Sequence, residues 1–194
     1  MKKKYWIILL IIVLVVCGIF FYKNRVKNSK IGNNKTSQEI VDYILNISSY
    51  EVNVTVNVTS NKNSNKYILK QTYQQPNKST QEVIEPSNIA GVKIENDGTS
   101  TKIENSQLDL STILDNYNYL GDNCLDLYSF IEDYKKDEKA KSEETETEII
   151  MKTSNKILHI GKKTYNPTQM EIKDNKQKTT IYILYNEVKV NSTK

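Results

Sequence analysis

Residues 50–59 read Tyr50-Glu51-Val52-Asn53-Val54-Thr55-Val56-Asn57-Val58-Thr59, and this stretch decides the fold. Apolar and polar residues alternate strictly along it, which places five apolar side chains on one face of a β-strand. The polar side chains lie on the opposite face. Because a strand with one apolar face needs a core to cover it, the pattern predicts a sheet that is buried on one side.

Segments with the composition of strands recur downstream and are separated by turn residues. Asn96-Asp97-Gly98 is the strongest hairpin signal, because an Asp-Gly pair tolerates the backbone of a tight turn. Pro76 and Pro86 each end a segment, since proline cannot donate a hydrogen bond to a ladder. The other predicted strands are 67–73, 80–85, 92–94, 101–103, 148–152, 157–160, 170–173, 179–185 and 188–190. We predict an α+β, mainly β domain, with one curved antiparallel sheet and two or three helices.

Two helices are predicted beside this sheet. Thr36 and Glu39 form a capping-box pattern, in which each side chain pairs with the other residue's backbone N–H. A second helix is predicted to begin at Asp122 as its N-cap, and its apolar face consists of Cys124, Leu127, Tyr128, Ile131 and Tyr134. Residues 135–148 are almost all charged or small, and we predict a solvated loop there.

The amino-terminal segment predicts export from the cytoplasm. Lys2, Lys3 and Lys4 precede an uncharged apolar run, residues 5–22. As a helix this run would be about 27 Å long at ~1.5 Å per residue, which nearly spans a bilayer core. Three alternatives remain: an uncleaved anchor, a secretory signal, and a lipoprotein signal with the lipid attached to Cys17. The predicted organisation is a signal peptide or membrane anchor (1–22), a linker (23–35) and a β-rich domain (36–194).

The composition argues against several classes of function. Seven of the 27 basic residues lie before residue 31, so the domain is close to neutral and lacks the charge of a nucleic-acid-binding protein. His159 is the single histidine, and Cys124 is the single cysteine outside the leader. These residues do not form a recognisable nucleophile–base pair or a zinc-binding spacing. We predict a non-catalytic binding protein with no cofactor, no metal and no catalytic residue.

The order of several short segments resembles the LolA-type lipoprotein-sorting family, as it occurs in spore-forming Gram-positive bacteria. The resemblance covers about residues 36–191 and is carried by 48–54, 67–76, Glu82, Pro86, Gly91, 96–98, 156–160 and 165–167. It implies an open half-barrel of antiparallel strands with helices on its concave face.

Within this family, the chain is most similar to clostridial lipoproteins that act in spore germination. The similarity lies in the size, the richness in Lys, Asn and Ile, and the cysteine of the leader, Cys17. It implies a membrane-anchored activator of a zinc-dependent N-acetylmuramoyl-L-alanine amidase that modifies the spore cortex. Such a protein would sit on the extracytoplasmic face of the cell or forespore membrane. The alternative is a lipid or lipoprotein carrier that uses the concave face. Exposed sheet edges could also pair two copies of the chain.

Overall fold

The computed structural model describes residues 35–60, 63–115, 125–174 and 179–191. Within these ranges there are two helices, α1 (Ser37–Leu45) and α2 (Leu127–Lys136). The same ranges contain eleven strands: β1 Ser49–Thr59, β2 Ser64–Gln74, β3 Lys78–Glu85, β4 Val92–Asn96, β5 Ser100–Asn105, β6 Leu110–Asp115, β7 Lys141–Glu144, β8 Glu148–Lys152, β9 Lys156–Gly161, β10 Pro167–Asp174 and β11 Thr179–Val190.

All the described strands form one sheet, in the order β6-β5-β4-β3-β2-β1-β11-β10-β9-β8-β7. Each strand is antiparallel to its neighbours. The chain enters the sheet at its middle strand, β1, and runs outward through β2 to β6. It then re-enters at the opposite edge, β7, and runs back inward until β11 pairs with β1. The prediction of a mainly β domain with one open antiparallel sheet is therefore confirmed.

Strand β1 lies at the centre of the sheet, as its alternating pattern predicts. Tyr50, Val52, Val54 and Val56 are buried, and they define what we call the inner face of the sheet. Val54 lies opposite Leu69 of β2 and Tyr185 of β11, which are also buried. Burying each large apolar side chain contributes about 1.5–3 kcal/mol, so this row supplies much of the core.

Helix α1 packs against the inner face, and its predicted capping box is confirmed. The backbone N–H of Thr36 donates to Glu39 Oε2 at 2.6 Å, and the backbone N–H of Glu39 donates to Thr36 Oγ1 at 3.2 Å. Ile40 and Ile44, one helical turn apart, are fully buried. A helix this short would be marginal alone, so the packing of this apolar face holds it.

Helix α2 begins four residues later than predicted. Its N-cap is Asp126, whose Oδ1 accepts the backbone N–H of Tyr128 at 2.8 Å, so the assignment of Asp122 as the cap is wrong. Both aspartates can cap a helix, but the buried residues Leu127, Phe130 and Ile131 follow Asp126 directly. Asp122 and Cys124 lie outside the described residues.

The predicted loop over residues 135–148 is also wrong in part. Lys135 and Lys136 form the last turn of α2, and β7 occupies residues 141–144. The sequence hides β7 because every one of its side chains is exposed and the strand therefore has no apolar alternation. The expected separate strand over 188–190 is the end of β11, in which Glu187 takes a positive φ of 51° beside an irregularity in the β1 pairing.

The described ranges contain no helix long and apolar enough to cross a membrane. The predicted leader (1–22), nearly all of the linker (23–35) and Cys17 lie outside the residues that the structure describes. Their assignments stay predictions.

Candidate interaction surface

His159 of β9 is partly exposed, with 24% of its side chain accessible to solvent. Its neighbours Leu158 and Ile160 are fully buried, so the imidazole lies on the outer face, opposite the core. His159 Nδ1 lies 3.0 Å from Glu148 Oε2. In the part of the chain that the structure covers, no group of three or more His, Cys, Asp or Glu side chains is arranged to hold a metal ion.

A cluster of polar side chains is buried where α2 crosses the sheet, and we call it the α2 anchor. The Tyr50 hydroxyl donates to Asp126 Oδ1. Lys156 of β9 donates from Nζ to Ser129 Oγ at 2.8 Å and pairs with Asp133 Oδ2 at 2.6 Å. The Lys156 side chain is only 4% exposed, whereas that of Asp133 is 47% exposed. These bonds join α2 to the central strand β1 and to β9.

Burial dominates the electrostatics of the α2 anchor. It raises the pKa of Asp126, although the hydrogen bonds from Tyr50 and Tyr128 and the charge of Lys156 act in the opposite direction. Burial and the neighbouring Asp126 also raise the pKa of Tyr50 well above its usual value. A carboxyl group that is enclosed and hydrogen-bonded in this way positions a helix and has no access to a substrate. We therefore assign this cluster a structural role.

The raised pKa of Asp126 predicts a pH dependence of stability. When the pKa of a carboxyl is higher in the folded state than its unfolded value of about 3.9, the free energy of unfolding falls as the pH rises from the unfolded to the folded pKa. Asparagine keeps the cap acceptor but does not titrate. The free energy of unfolding of Asp126→Asn minus that of the wild type should therefore increase as the pH rises above about 4. Urea unfolding of both proteins at a series of pH values measures this difference in free energy.

Asp137 provides the matched control for this prediction. The backbone N–H groups of Ser154 and Lys139 donate to its carboxylate at 2.6 and 2.8 Å, and hydrogen bonds from Ser154 and Lys139 lower its pKa. The free energy of unfolding of Asp137→Asn minus that of the wild type should therefore fall as the pH rises toward about 4. If the free energy of unfolding of Asp126→Asn minus that of the wild type stayed constant or fell as the pH rose, the raised pKa of Asp126 would be contradicted.

The helices fill the inner face over β1, β2 and β8–β11. Phe130, Ile131 and Ile44 are no more than 1% exposed. Tyr73 stacks between Tyr50 and Tyr128, with ring centroids 5.5 and 4.4 Å apart. The apolar part of the inner face is therefore occupied by the chain's own side chains.

Toward β6 the buried positions of the inner face are polar, whereas Val83 and Ile94 are partly buried there against the core. Ser79, Asn96 and Thr101 are the buried inner-face residues of β3, β4 and β5, and Asn96 Nδ2 donates to Thr101 Oγ1 at 2.8 Å. A groove of about 910 Å³ crosses this half of the sheet near its hairpin ends. Its lining combines polar and charged side chains, among them Glu51 and Lys102, with Tyr50, Tyr73 and Ile113.

Four of the exposed large apolar side chains that the structure describes lie at the β6 end of the sheet. Leu110 and Ile113 are each 62% exposed, Leu114 is 39% exposed, and Leu108 in the preceding turn is 64% exposed. We call these four residues the β6 patch. Within the described chain β6 has a strand on one side only, so about half of its backbone N–H and C=O groups point away from β5. An unpaired sheet edge of this kind can accept a further strand.

The sequence alone does not show that the residues of the β6 patch lie at an edge of the sheet. Residues 108–115 read LDLSTILD, which has no strict alternation and no flanking apolar run. Only the strand order shows that this segment ends the sheet. Cys17, the one site residue that the sequence predicted, lies outside the described residues, so the structure does not place it.

No family model matches the sequence, and no curated protein matches it. Solved structures do share the fold. A LolA superfamily protein from Nitrosomonas europaea is 12% identical, with a TM-score of 0.45, over 82% of this chain and 96% of that chain. An uncharacterized conserved protein from Thermus thermophilus is 11% identical, with a TM-score of 0.50, over 82% and 90% of the two chains.

A third similar structure is that of the CwlD amidase from Clostridioides difficile in complex with the GerS lipoprotein. The similarity is 23% identity, with a TM-score of 0.48, over 80% of this chain and 96% of the matched chain. At these identities the similarity concerns the fold alone. The described part of the chain forms one open antiparallel sheet with two helices packed on it, and the Thermus thermophilus protein shares this fold.

Proposed function

We propose that the chain is a non-catalytic, membrane-anchored, extracytoplasmic protein that binds and activates a peptidoglycan amidase of the spore cortex. The observation that carries the binding role is the β6 patch, an exposed apolar edge at the end of a sheet whose core is otherwise closed. The filled inner face and the structural role of the α2 anchor agree with a protein that works through its surface.

The class of partner comes from the sequence. The resemblance to germination lipoproteins, which lies in size, composition and the leader cysteine Cys17, implies a zinc-dependent N-acetylmuramoyl-L-alanine amidase of the CwlD type. An activator must bind the active or metal-loaded state of its enzyme more tightly than the inactive state. Couplings of this kind are typically 1–3 kcal/mol, equivalent to about a 5- to 150-fold shift in an equilibrium. No catalytic group of this chain is needed for such an effect.

An activity assay tests this proposal. A purified CwlD-type amidase is incubated with cortex peptidoglycan, and the release of stem peptides is followed with and without the full chain in mild detergent. We expect the rate to rise by about fivefold or more when the chain is present at saturating concentration. Heat-denatured chain is the control. An unchanged rate with folded chain, at concentrations where the amidase alone is measurably active, would exclude the activator role.

The carrier alternative predicts a different composition of the purified protein. A LolA-like carrier needs an apolar cavity for an acyl chain, whereas Phe130, Ile131 and Ile44 fill the apolar inner face here. We therefore expect mass spectrometry of the full chain, extracted without added lipid, to find no stoichiometric acyl species beyond any lipid bound covalently at Cys17. Stoichiometric non-covalent lipid would favour the carrier.

Residues 1–22 are proposed to hold this domain at the membrane. The uncleaved anchor keeps residues 5–22 as a spanning helix, whereas the lipoprotein alternative removes the leader and leaves a lipid on Cys17. Either one places the amidase partner close to the membrane surface. The mass of the mature protein distinguishes them, because cleavage before Cys17 removes sixteen residues.

A further inference from the structure

The two edges of the sheet have opposite chemistry. At β7, Lys141 pairs with Glu143 at 3.2 Å, and Lys152 of β8 pairs with the same glutamate at 2.6 Å. This four-residue strand is short and charged, which is how proteins protect an edge from pairing with other chains. The β6 edge has six residues and three of the four members of the β6 patch. It is longer than β7, and Asp115 is its only charged residue.

The β6 edge is also negatively charged. Residues 105–115 contain Asp109 and Asp115 and no lysine or arginine. The nearest lysine on β5, Lys102, is paired with Glu104. A strand that pairs with β6 therefore meets apolar side chains along its length and carboxylates near both ends.

We propose that β6 is a docking strand, and that an extended, basic and apolar segment of the protein partner adds to it as the next strand of the sheet. This inference rests on the proposed function, because the partner segment belongs to the amidase. Main-chain hydrogen bonds to the free edge of β6 supply part of the affinity, and the side chains supply the specificity.

The pleat of β6 defines the partner segment. Leu110 and Leu114 lie on the inner-face side, and Ile113 lies on the outer-face side. The added strand is therefore expected to have apolar residues opposite all three, where cross-strand pairs contribute roughly 0.2–1 kcal/mol each. A lysine or arginine near one of its ends would lie close to Asp109 or Asp115.

Charge favours this partner over a second copy of the chain. An antiparallel pair of two β6 strands would bring two aspartates from each copy, and no basic residue, to one short ladder. Like charges that face each other across strands are destabilising. A segment with basic ends neutralises the same carboxylates.

The test measures the affinity of the full chain in mild detergent for a purified CwlD-type amidase. Ile113→Lys and Leu110→Lys each place a positive charge on the docking edge, at side chains so exposed that folding should be unaffected. We expect each variant to bind about tenfold more weakly or worse, as for residues at the centre of an interface. Ile113→Val should bind like the wild type, and Ser142→Lys on β7 is the matched control at the other edge.

Hydrogen exchange on the same samples provides a second readout. The amides of residues 110–115 should exchange more slowly in the complex, while those of residues 141–144 should not change. Tight amidase binding that neither lysine variant weakens would overturn the docking strand and leave the proposed function standing. No binding by the wild-type chain would overturn both. Dimerisation of the chain alone that the lysine variants abolish would assign the edge to a second copy and overturn the inference.

Discussion

Replacing Phe130 with alanine is expected to lower the free energy of unfolding by about 3–5 kcal/mol, the usual cost of truncating a buried phenylalanine. Phe130 is fully buried on α2 between the helix and the inner face of the sheet, and its ring lies 5.9 Å from that of Tyr134. The neighbouring core residues come from the sheet and from α1, so they cannot move inward enough to fill the space.

Urea unfolding, followed by circular dichroism, measures this loss. Lys136→Ala, in the same helix but with a side chain that is 76% exposed, is the control and should change stability by less than about 0.5 kcal/mol. Phe130→Leu should fall between the two, because it keeps most of the apolar volume. If Phe130→Ala cost no more than Lys136→Ala, α2 could not be packed on the sheet as described.

Asp133→Ala is expected to cost more than Lys156→Met, although both remove the same ion pair. Lys156 is almost completely buried, so removing Asp133 leaves an ammonium group with Ser129 as its one described partner, at a cost of about 3–5 kcal/mol. Lys156→Met leaves Asp133 half exposed to water, and the methionine fills the space of the lysine stem. Replacing a buried charge by an apolar side chain of similar size is often close to neutral.

A double-mutant cycle measures this asymmetry. The double variant Lys156→Met, Asp133→Ala should be more stable than Asp133→Ala alone, because the stranded ammonium is gone. Equal losses for the two single variants, or a double variant whose loss is the sum of both, would contradict the burial of Lys156. The same measurement tests the crossing of α2 over β9, since the ion pair exists only if these elements are in contact.

The sequence predicted the elements whose burial pattern is local. β1 follows from ten alternating residues, and α1 follows from the Thr36 and Glu39 capping box. The sequence alone could not show whether Asp122 or Asp126 begins α2, because both can cap a helix. The start depends on which of the following residues the sheet buries. The bend at Glu187 in β11 compensates for an irregularity in the pairing with β1, and this pairing is not visible in either segment alone.

The candidate surface was less predictable than the fold. No side chain of β6 or β7 is buried, and neither strand carries an apolar alternation that separates a strand from a loop. Which strand ends the sheet depends on the order of all the others. The apolar residues of the β6 patch become informative only when that order is known, because an exposed leucine is ordinary in a loop and significant on a free edge.

The measurement that tests the account most directly is a purification of the tagged full chain from sporulating cells, with the bound proteins and lipids identified together by mass spectrometry. We expect a zinc amidase in a stoichiometric amount, and no stoichiometric lipid except one attached covalently at Cys17. Recovery of acyl lipid or a lipoprotein without an amidase would contradict it and make the sheet and its helices a carrier.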